Sequence, residues 1–219
     1  AMNGDTAIIG AWRDDDDGDF SGAAYVFREI GDSWQQVTKL TADDAVENNH
    51  FGVSVAISGD TVVVGAYGSA DPLSLVGSAY VFREQNNSWQ QIAKLTADDG
   101  ADHDYFGIGS TGGIAITGDM IVIGAVGDQD NGLWSGSAYV FREIQGVWQQ
   151  TTKLTSNDAM ANDFFGARVA LSGGTVIIGA YGSGGTNNGA SYVFREINGD
   201  WQQIGKLSDA NPAAEGRFG

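Results

Sequence analysis

Two acidic stretches hold the residues best suited to chemistry. Arg13–Gly22 reads RDDDDGDFSG and Gly127–Gly136 reads GDQDNGLWSG. Asp14, Asp16, Asp17 and Asp19 in the first, with Asp128, Asp130 and Asn131 in the second, offer hard oxygen ligands at alternating positions. Calcium prefers such oxygens, and a bound cation relieves the mutual repulsion of crowded carboxylates. Neither stretch supplies a closing glutamate at EF-hand distance. The counterparts Gly68–Gly77 and Gly182–Gly189 are nearly neutral. Two readings stand side by side, a divalent-cation site and a loop that only keeps the chain soluble.

Four aromatics form a second candidate set. Trp12, Tyr67 and Tyr181 each follow a recurring glycine by two residues, and Trp134 lies inside the second acidic stretch. Rings beside Asp and Asn can stack on sugars, which is where a lectin reading starts; equally, they can fill gaps between packed units. Spaced pairs recur as Asp99 with Asp104 and Asp158 with Asp163, with Asp44 and Asn49 in the first unit. Such residues cap their own turns through side-chain to backbone hydrogen bonds. His50 and His103 read as exposed loop residues. Catalysis is not expected: the chain has two His and no Cys, no nucleophile-elbow, zinc-protease or phosphate-loop pattern, and carboxylates only in hydrophilic loops.

Composition narrows the partners. The 219 residues carry 28 Asp and Glu against 11 Lys and Arg, a formal charge of −17. So negative a surface repels nucleic acid, and the lack of cysteine removes disulfides and thiolate sites. No run of 18 apolar residues occurs, so membrane insertion by a helix is not expected. A hydrophobic content of 42%, with 11% aromatics, points to a packed core rather than disorder.

Internal repeats set the architecture that must position these residues. Tyr-Val-Phe-Arg-Glu recurs at Tyr25, Tyr80, Tyr139 and Tyr192, each copy followed by Trp-Gln-Gln and then Lys-Leu. A Gly-Ala pair precedes each copy, at Gly10, Gly65, Gly124 and Gly179, and Phe-Gly pairs start at Phe51, Phe106, Phe165 and Phe218. Within a unit the runs Phe51–Ser58, Thr61–Tyr67, Ser78–Glu84 and Ser88–Ala97 are β-rich and bounded by turn residues. Gly59-Asp60 and Asn198-Gly199 are hairpin signals. The pattern predicts an all-β fold, a β-propeller of about four four-stranded antiparallel blades. One domain, 1–219, contains units near 3–50, 51–105, 106–164 and 165–217. Three units are complete, and the first lacks one strand, the one that would follow Gly219. Ala1-Met2 reads as an expression remnant, and the chain as an excised piece.

These motifs resemble FG-GAP repeats, the units of the β-propeller at the head of integrin α chains and of many bacterial surface and secreted proteins. The Phe-Gly and Gly-Ala pairs match the two halves of that name. The proline that follows Gly-Ala in the family is replaced by Trp12, Tyr67, Val126 and Tyr181. The Asp-rich calcium loop between the Phe-Gly and Gly-Ala strands of calcium-binding members is replaced by short turns at Gly59-Asp60, Gly118-Asp119 and Gly173-Gly174. The resemblance implies a non-catalytic recognition or adhesion module, secreted or on the cell surface, that binds a protein or glycan with calcium as a candidate cofactor. The alternative is a structural spacer within a larger surface protein.

Meander connections alternate between the two ends of a sheet. The strand 2–3 loops and the loops linking units therefore share one end, and together they hold 19 of the 28 acids, Asp71 and Glu215 among them. The basic residues instead recur in register, Arg28, Arg83, Arg142 and Arg195 in strand 3 and Lys39, Lys94, Lys153 and Lys206 in strand 4. That regularity points to structural ion pairs or a solvated outer edge. Open blade faces in a partial ring predict a homo-oligomer, with two half-propellers making an eight-bladed ring; a closed four-bladed ring is the tighter alternative.

Overall fold

The computed structural model describes residues 1–68, 75–108, 113–183, 188–211 and 216–219; Asp71 and Glu215 lie outside them. Sixteen strands and no helix occur among the described residues, so no helix is long and apolar enough to cross a membrane. They form four antiparallel meanders. The first sheet contains β1 (Met2–Asn3), β2 (Thr6–Ala11), β3 (Ala23–Ile30) and β4 (Ser33–Leu40). The second contains β5 (Ser54–Ser58), β6 (Thr61–Ala66), β7 (Ser78–Gln85) and β8 (Ser88–Leu95). The third contains β9 (Ile114–Thr117), β10 (Met120–Ala125), β11 (Ser137–Ile144) and β12 (Val147–Leu154). The fourth contains β13 (Phe165–Ser172), β14 (Thr175–Ala180), β15 (Ala190–Ile197) and β16 (Asp200–Leu207).

Hydrophobic patterning explains the layering. β6 and β10 are buried along their whole length, because both faces of a central strand meet a neighbouring sheet. The outer β8 alternates, as a strand with one wet face must. Each outer pair carries a bulge at the same place, so that Val37, Ile92, Thr151 and Ile204 are skipped in the ladder. A bulge sharpens local twist and blunts the outer edge against pairing.

The two glycine motifs exist to meet each other. An added Cβ on Gly10 would lie 1.9 Å from the Gly52 carbonyl oxygen, and one on Gly124 would lie 1.9 Å from that of Gly166. The Gly-Ala strand of one blade thus touches the Phe-Gly turn of the next, backbone on backbone. The adjoining phenylalanines, Phe51, Phe106 and Phe165, are fully buried. Each packs edge-on against the Tyr and Phe of its own blade's Tyr-Val-Phe motif. Three apolar cores result, one per junction between consecutive sheets. Contacts run from the first sheet to the fourth in order, and among the described residues the blades do not close into a ring.

The first sheet departs from the sequence expectation in one respect. Its missing strand place is taken by β1, which pairs Met2 with Ala7 and Asn3 with Thr6. Gly4, at φ +58, makes the turn, so Asn3-Gly4-Asp5 is a hairpin rather than an entry loop. Ala1 joins the ladder: its amino group donates to Ile8 O at 3.0 Å and its carbonyl accepts from the Ile8 N–H at 2.9 Å.

Candidate recognition surface

The strand 2–3 loops and the linking loops do share one end. Linking-loop amides of Asn48 and His50 donate to the carbonyls of Asp19 and Phe20 in the first 2–3 loop. Asn162 and Phe164 repeat the arrangement on Leu133 and Trp134.

Much of the acidity at this end is answered from inside the fold. Hairpin register sets Lys39, Lys94, Lys153 and Lys206 opposite Tyr25, Tyr80, Tyr139 and Tyr192. Each ammonium lies 5.1–5.7 Å from the centre of that tyrosine ring. From there three of the lysines reach back to the preceding linking loop: Lys94 to Asp44 at 2.5 Å, Lys153 to Asp99 at 2.6 Å and Lys206 to Asp158 at 2.7 Å. Lys39 instead binds Asp14, at 2.7 Å, and Asp16 of its own blade. The repeat-locked lysines are structural ion pairs, as their regularity suggested.

The candidate metal ligands divide accordingly. Asp14 and Asp16 converge on Lys39, and the Tyr25 hydroxyl donates to Asp14 at 2.6 Å. Asp17 and Asp19 are exposed, and their side chains have no partner among the described residues. Asp128 is buried and Asp130 exposed, and Lys153 lies 2.7 Å and 2.6 Å from them. With Asp99 they form the one carboxylate trio among the described residues close enough to share a cation. The Lys153 ammonium bonds to all three, and the Tyr139 hydroxyl donates to Asp99 at 2.9 Å and Asp128 at 3.0 Å. In this arrangement the Lys153 ammonium sits within 2.7 Å of all three carboxylates. Asp99 was absent from the sequence candidates because it comes from the preceding unit's linking loop.

The spaced Asp pairs have two jobs. Asp44, Asp99 and Asp158 hold the next blade's lysine. Asp104 and Asp163 are buried and cap their own turns, accepting from the Ala101 amide at 2.7 Å and the Met160 amide at 2.8 Å. Burial pushes the Asp104 and Asp163 carboxyls up. Burial acts the same way, as the largest single influence, on Asp14, Asp44, Asp99 and Asp158, but the lysine bonded to each, the neighbouring tyrosine hydroxyl and a backbone amide together outweigh it and hold them below the ordinary 3.8. A carboxyl held low stabilises the fold while ionised, so this stabilisation is complete above about pH 4 and drains away as pH falls through the lowered values. Asp104 and Asp163 act oppositely, since their charged forms are the disfavoured ones. We predict a melting temperature that is flat from neutral pH to about pH 5 and falls below about pH 4, where the four ion-paired carboxyls titrate. Circular dichroism melts across that range check it; a fall centred near pH 6 would contradict it.

His103 is exposed as expected, but His50 is half-buried rather than exposed, because the aromatic candidates pack around it. His50 stacks on Tyr67 with centroids 4.4 Å apart and planes 6° off parallel, and it also meets Trp12 at 5.5 Å and Phe20 at 5.8 Å. The Arg13 guanidinium lies 4.3 Å from the centre of the Trp12 ring. A second row runs Tyr105, Trp134, Phe164, Tyr181, with centroid spacings of 5.5, 5.8 and 4.7 Å. All four original candidates are half-buried. Trp12, Tyr67, Trp134 and Tyr181 therefore fill gaps between blades and still show part of each ring. Burial pushes the Tyr67 and Tyr181 hydroxyls up and the His50 imidazole down, so His50 is neutral at pH 7.

Backbone conformation displays these rings. His50, Tyr105 and Phe164 each precede a Phe-Gly pair and sit at φ +55 to +56; Phe20 and Trp134 hold matching places in their 2–3 loops at φ +56 and +58. Left-handed backbone is disfavoured for aromatic residues and persists where surrounding bonds impose it. Here the linking-loop to 2–3-loop hydrogen bonds impose it, at 2.9 Å for His50 on Phe20 and 3.0 Å for Phe164 on Trp134. The sequence signal was the aromatic type recurring just before Phe-Gly.

No curated protein matches the chain. The FG-GAP repeat matches it four times, at residues 1–27, 34–82, 89–141 and 148–194. The second, third and fourth matches begin on the outer strand of one sheet and end on the third strand of the next, so the sequence repeat straddles the blade junction. With its motifs, its four meander sheets and these matches over most of its length, the chain belongs to the FG-GAP repeat family.

Proposed function

We propose that the protein is a non-catalytic recognition module, secreted or on the cell surface, whose loop end receives a protein ligand bearing basic side chains. FG-GAP repeats occur in surface and adhesion-type proteins. The observation that carries the reading is the pairing of half-exposed rings with carboxylates that no lysine answers. Asp17 and Asp19 precede Phe20 in its loop, and Asp102, which meets only the Leu75 amide and His103 among the described residues, stands beside the His103–Tyr105 pair. A cation gains from the face of an aromatic ring and from nearby negative charge. Arg13 on Trp12 shows that a guanidinium fits one such face. A glycan is the weaker ligand, because Tyr67 and Tyr181 already have one face covered by His50 and Phe164. With Lys39 and Lys153 seated among the acidic-loop carboxylates, recognition on this reading needs no calcium.

An arginine-rich hexapeptide, a neutral oligosaccharide panel and calcium chloride are suitable calorimetric probes. We expect saturable heat from the peptide alone, weakened about tenfold by Phe20→Ala, as loss of a partly desolvated cation–π contact implies. Heat from the oligosaccharides alone would support the glycan reading, and silence from every probe would support a structural spacer.

A further inference from the structure

The junction of the first and second blades already contains a guanidinium at its loop end. Arg13 lies 4.3 Å from the centre of the Trp12 ring and 5.8 Å from that of Phe20. Its charge also reaches the other two rings of the group. It helps burial to hold the His50 imidazole down, and it opposes the effect of burial on the Tyr67 hydroxyl. Four aspartates follow Arg13 directly, yet the guanidinium pairs with none of them among the described residues. Three are engaged elsewhere: Asp14 and Asp16 hold Lys39, and Asp15 accepts from the Phe20 amide at 2.8 Å. A planar, weakly hydrated guanidinium takes the face of a ring instead.

The position is particular to this blade. Its counterparts are Gly68, Gly127 and Gly182, where an added Cβ would lie 1.8 Å from the carbonyl oxygen of Asn48, His103 or Asn162 in the preceding linking loop. A side chain there and a linking loop packed onto it exclude each other. A blade set against the first as the first is set against the second would bring a linking-loop carbonyl onto the Arg13 Cβ. The repeat's own junction therefore does not close that side of the ring group. Two junctions on, Trp134, Phe164 and Tyr181 take the places of Phe20, His50 and Tyr67, and Gly127 takes the place of Arg13. The second group is the first without its arginine.

We infer that Arg13 is a built-in occupant of the first ring group, an autoinhibitory contact that a ligand's arginine must displace from Trp12. The inference rests on the ligand reading for the loop end and adds that its two ring groups are unequal. The group at Trp134 receives a guanidinium directly, whereas the group at Trp12 opens only when Arg13 leaves. The Arg13 side chain is exposed and makes no hydrogen bond or ion pair among the described residues, so leaving forfeits the ring contact alone. A cation–π contact at an exposed site holds the slot closed often enough to weaken apparent affinity about three- to sixfold.

Titrating the parent, Arg13→Gln and Arg13→Lys with an arginine-rich hexapeptide tests the inference, with the Arg13 Nε–H resonance as the reporter. In the free parent the Trp12 ring current should displace that resonance from the ordinary arginine position, and it should return there as the peptide saturates. Arg13→Gln should bind about three- to sixfold more tightly than the parent. Arg13→Lys keeps the charge and gives up the planar stack, so its affinity should fall between the two. Near-ultraviolet circular dichroism should be unchanged in both variants. Binding by Arg13→Gln but not by the parent would support complete occlusion. An Arg13 Nε–H that stays displaced in the saturated parent, or an Arg13→Gln variant no tighter than the parent, would overturn the inference and leave the ligand reading standing. Parent-like binding by Arg13→Lys would assign the gain to charge alone and overturn it as well. Silence from all three proteins would overturn the ligand reading, and the inference with it.

Discussion

Lys153→Met will destabilise the protein by about 3 kcal/mol at pH 7, the scale seen when one partner of a buried ion pair is removed. For a chain of this size that is a fall in melting temperature of roughly 6–12 °C. The reason is concentration of charge. Asp99, Asp128 and Asp130 all bond to the Lys153 ammonium, and the Asp128 side chain is only 4% exposed. Burial works against the charged lysine, yet its bonds to Asp128, Asp130 and Asp99 prevail and push its pKa well above the usual lysine range. Methionine keeps most of the stem's volume, so the loss reports the charge rather than the packing. What remains is three clustered carboxylates, one of them buried, answered among the described residues by the Tyr139 hydroxyl and the Asp130 amide alone. The deficit should therefore shrink as pH falls and the trio protonates. Lys94→Met is the control, since among the described residues Lys94 bonds only to Asp44 and both are more than a third exposed; its effect should stay within about 1 kcal/mol. Equal losses in the two variants, or a Lys153→Met deficit that ignores pH, would show that the trio is not what Lys153 serves.

Gly124→Ala will cost about 3 kcal/mol, the upper part of the range for overpacking. The added methyl would fall 1.9 Å from the Gly166 carbonyl oxygen and 2.7 Å from its carbon. Those are backbone atoms, with no rotamer to yield. Relief requires the third and fourth blades to separate, which loosens the core that contains Phe165, Ile178 and Tyr192. Gly146→Ala is the informative comparison. Gly146 sits at a hairpin tip at φ +81 with nothing within 4 Å of an added Cβ. Its substitution meets backbone strain alone, about 1–2 kcal/mol. Midpoints of denaturant unfolding should rank parent, then Gly146→Ala, then Gly124→Ala; an inverted order would mean that the blades do not meet glycine on glycine.

The two substitutions mark where sequence reasoning succeeds and where it stops. Repeats are legible because each blade solves the same packing problem with the same residues, so Tyr-Val-Phe, Phe-Gly and Gly-Ala announce themselves as strands and turns. The end of the blades that holds the acids follows from meander parity alone. Which acid meets which lysine does not. Asp99 and Asp128 are far apart in sequence and belong to different blades, and only the junction brings them to one ammonium. Without that junction Asp128 and Asp130 read as metal ligands, although the protein supplies its own cation. The short β1 escaped notice because two residues are too few to show a period. The rings of Tyr105 and Phe164 escaped, and His50 read as an exposed loop residue, because aromatic residues ordinarily favour extended backbone, and the bonds that hold them left-handed come from another loop.

Six tryptophans give the recognition surface an internal map. Trp12 and Trp134 stand at the loop end, whereas Trp34, Trp89, Trp148 and Trp201 lie on the outer strands. Titrating the isotopically labelled protein with an arginine-rich hexapeptide and following the six indole N–H resonances tests the recognition claim most directly. The account predicts saturable shifts at Trp12 and Trp134, unchanged by added calcium, with the four outer-strand indoles still. Shifts confined to those four, or none at any indole, would contradict it.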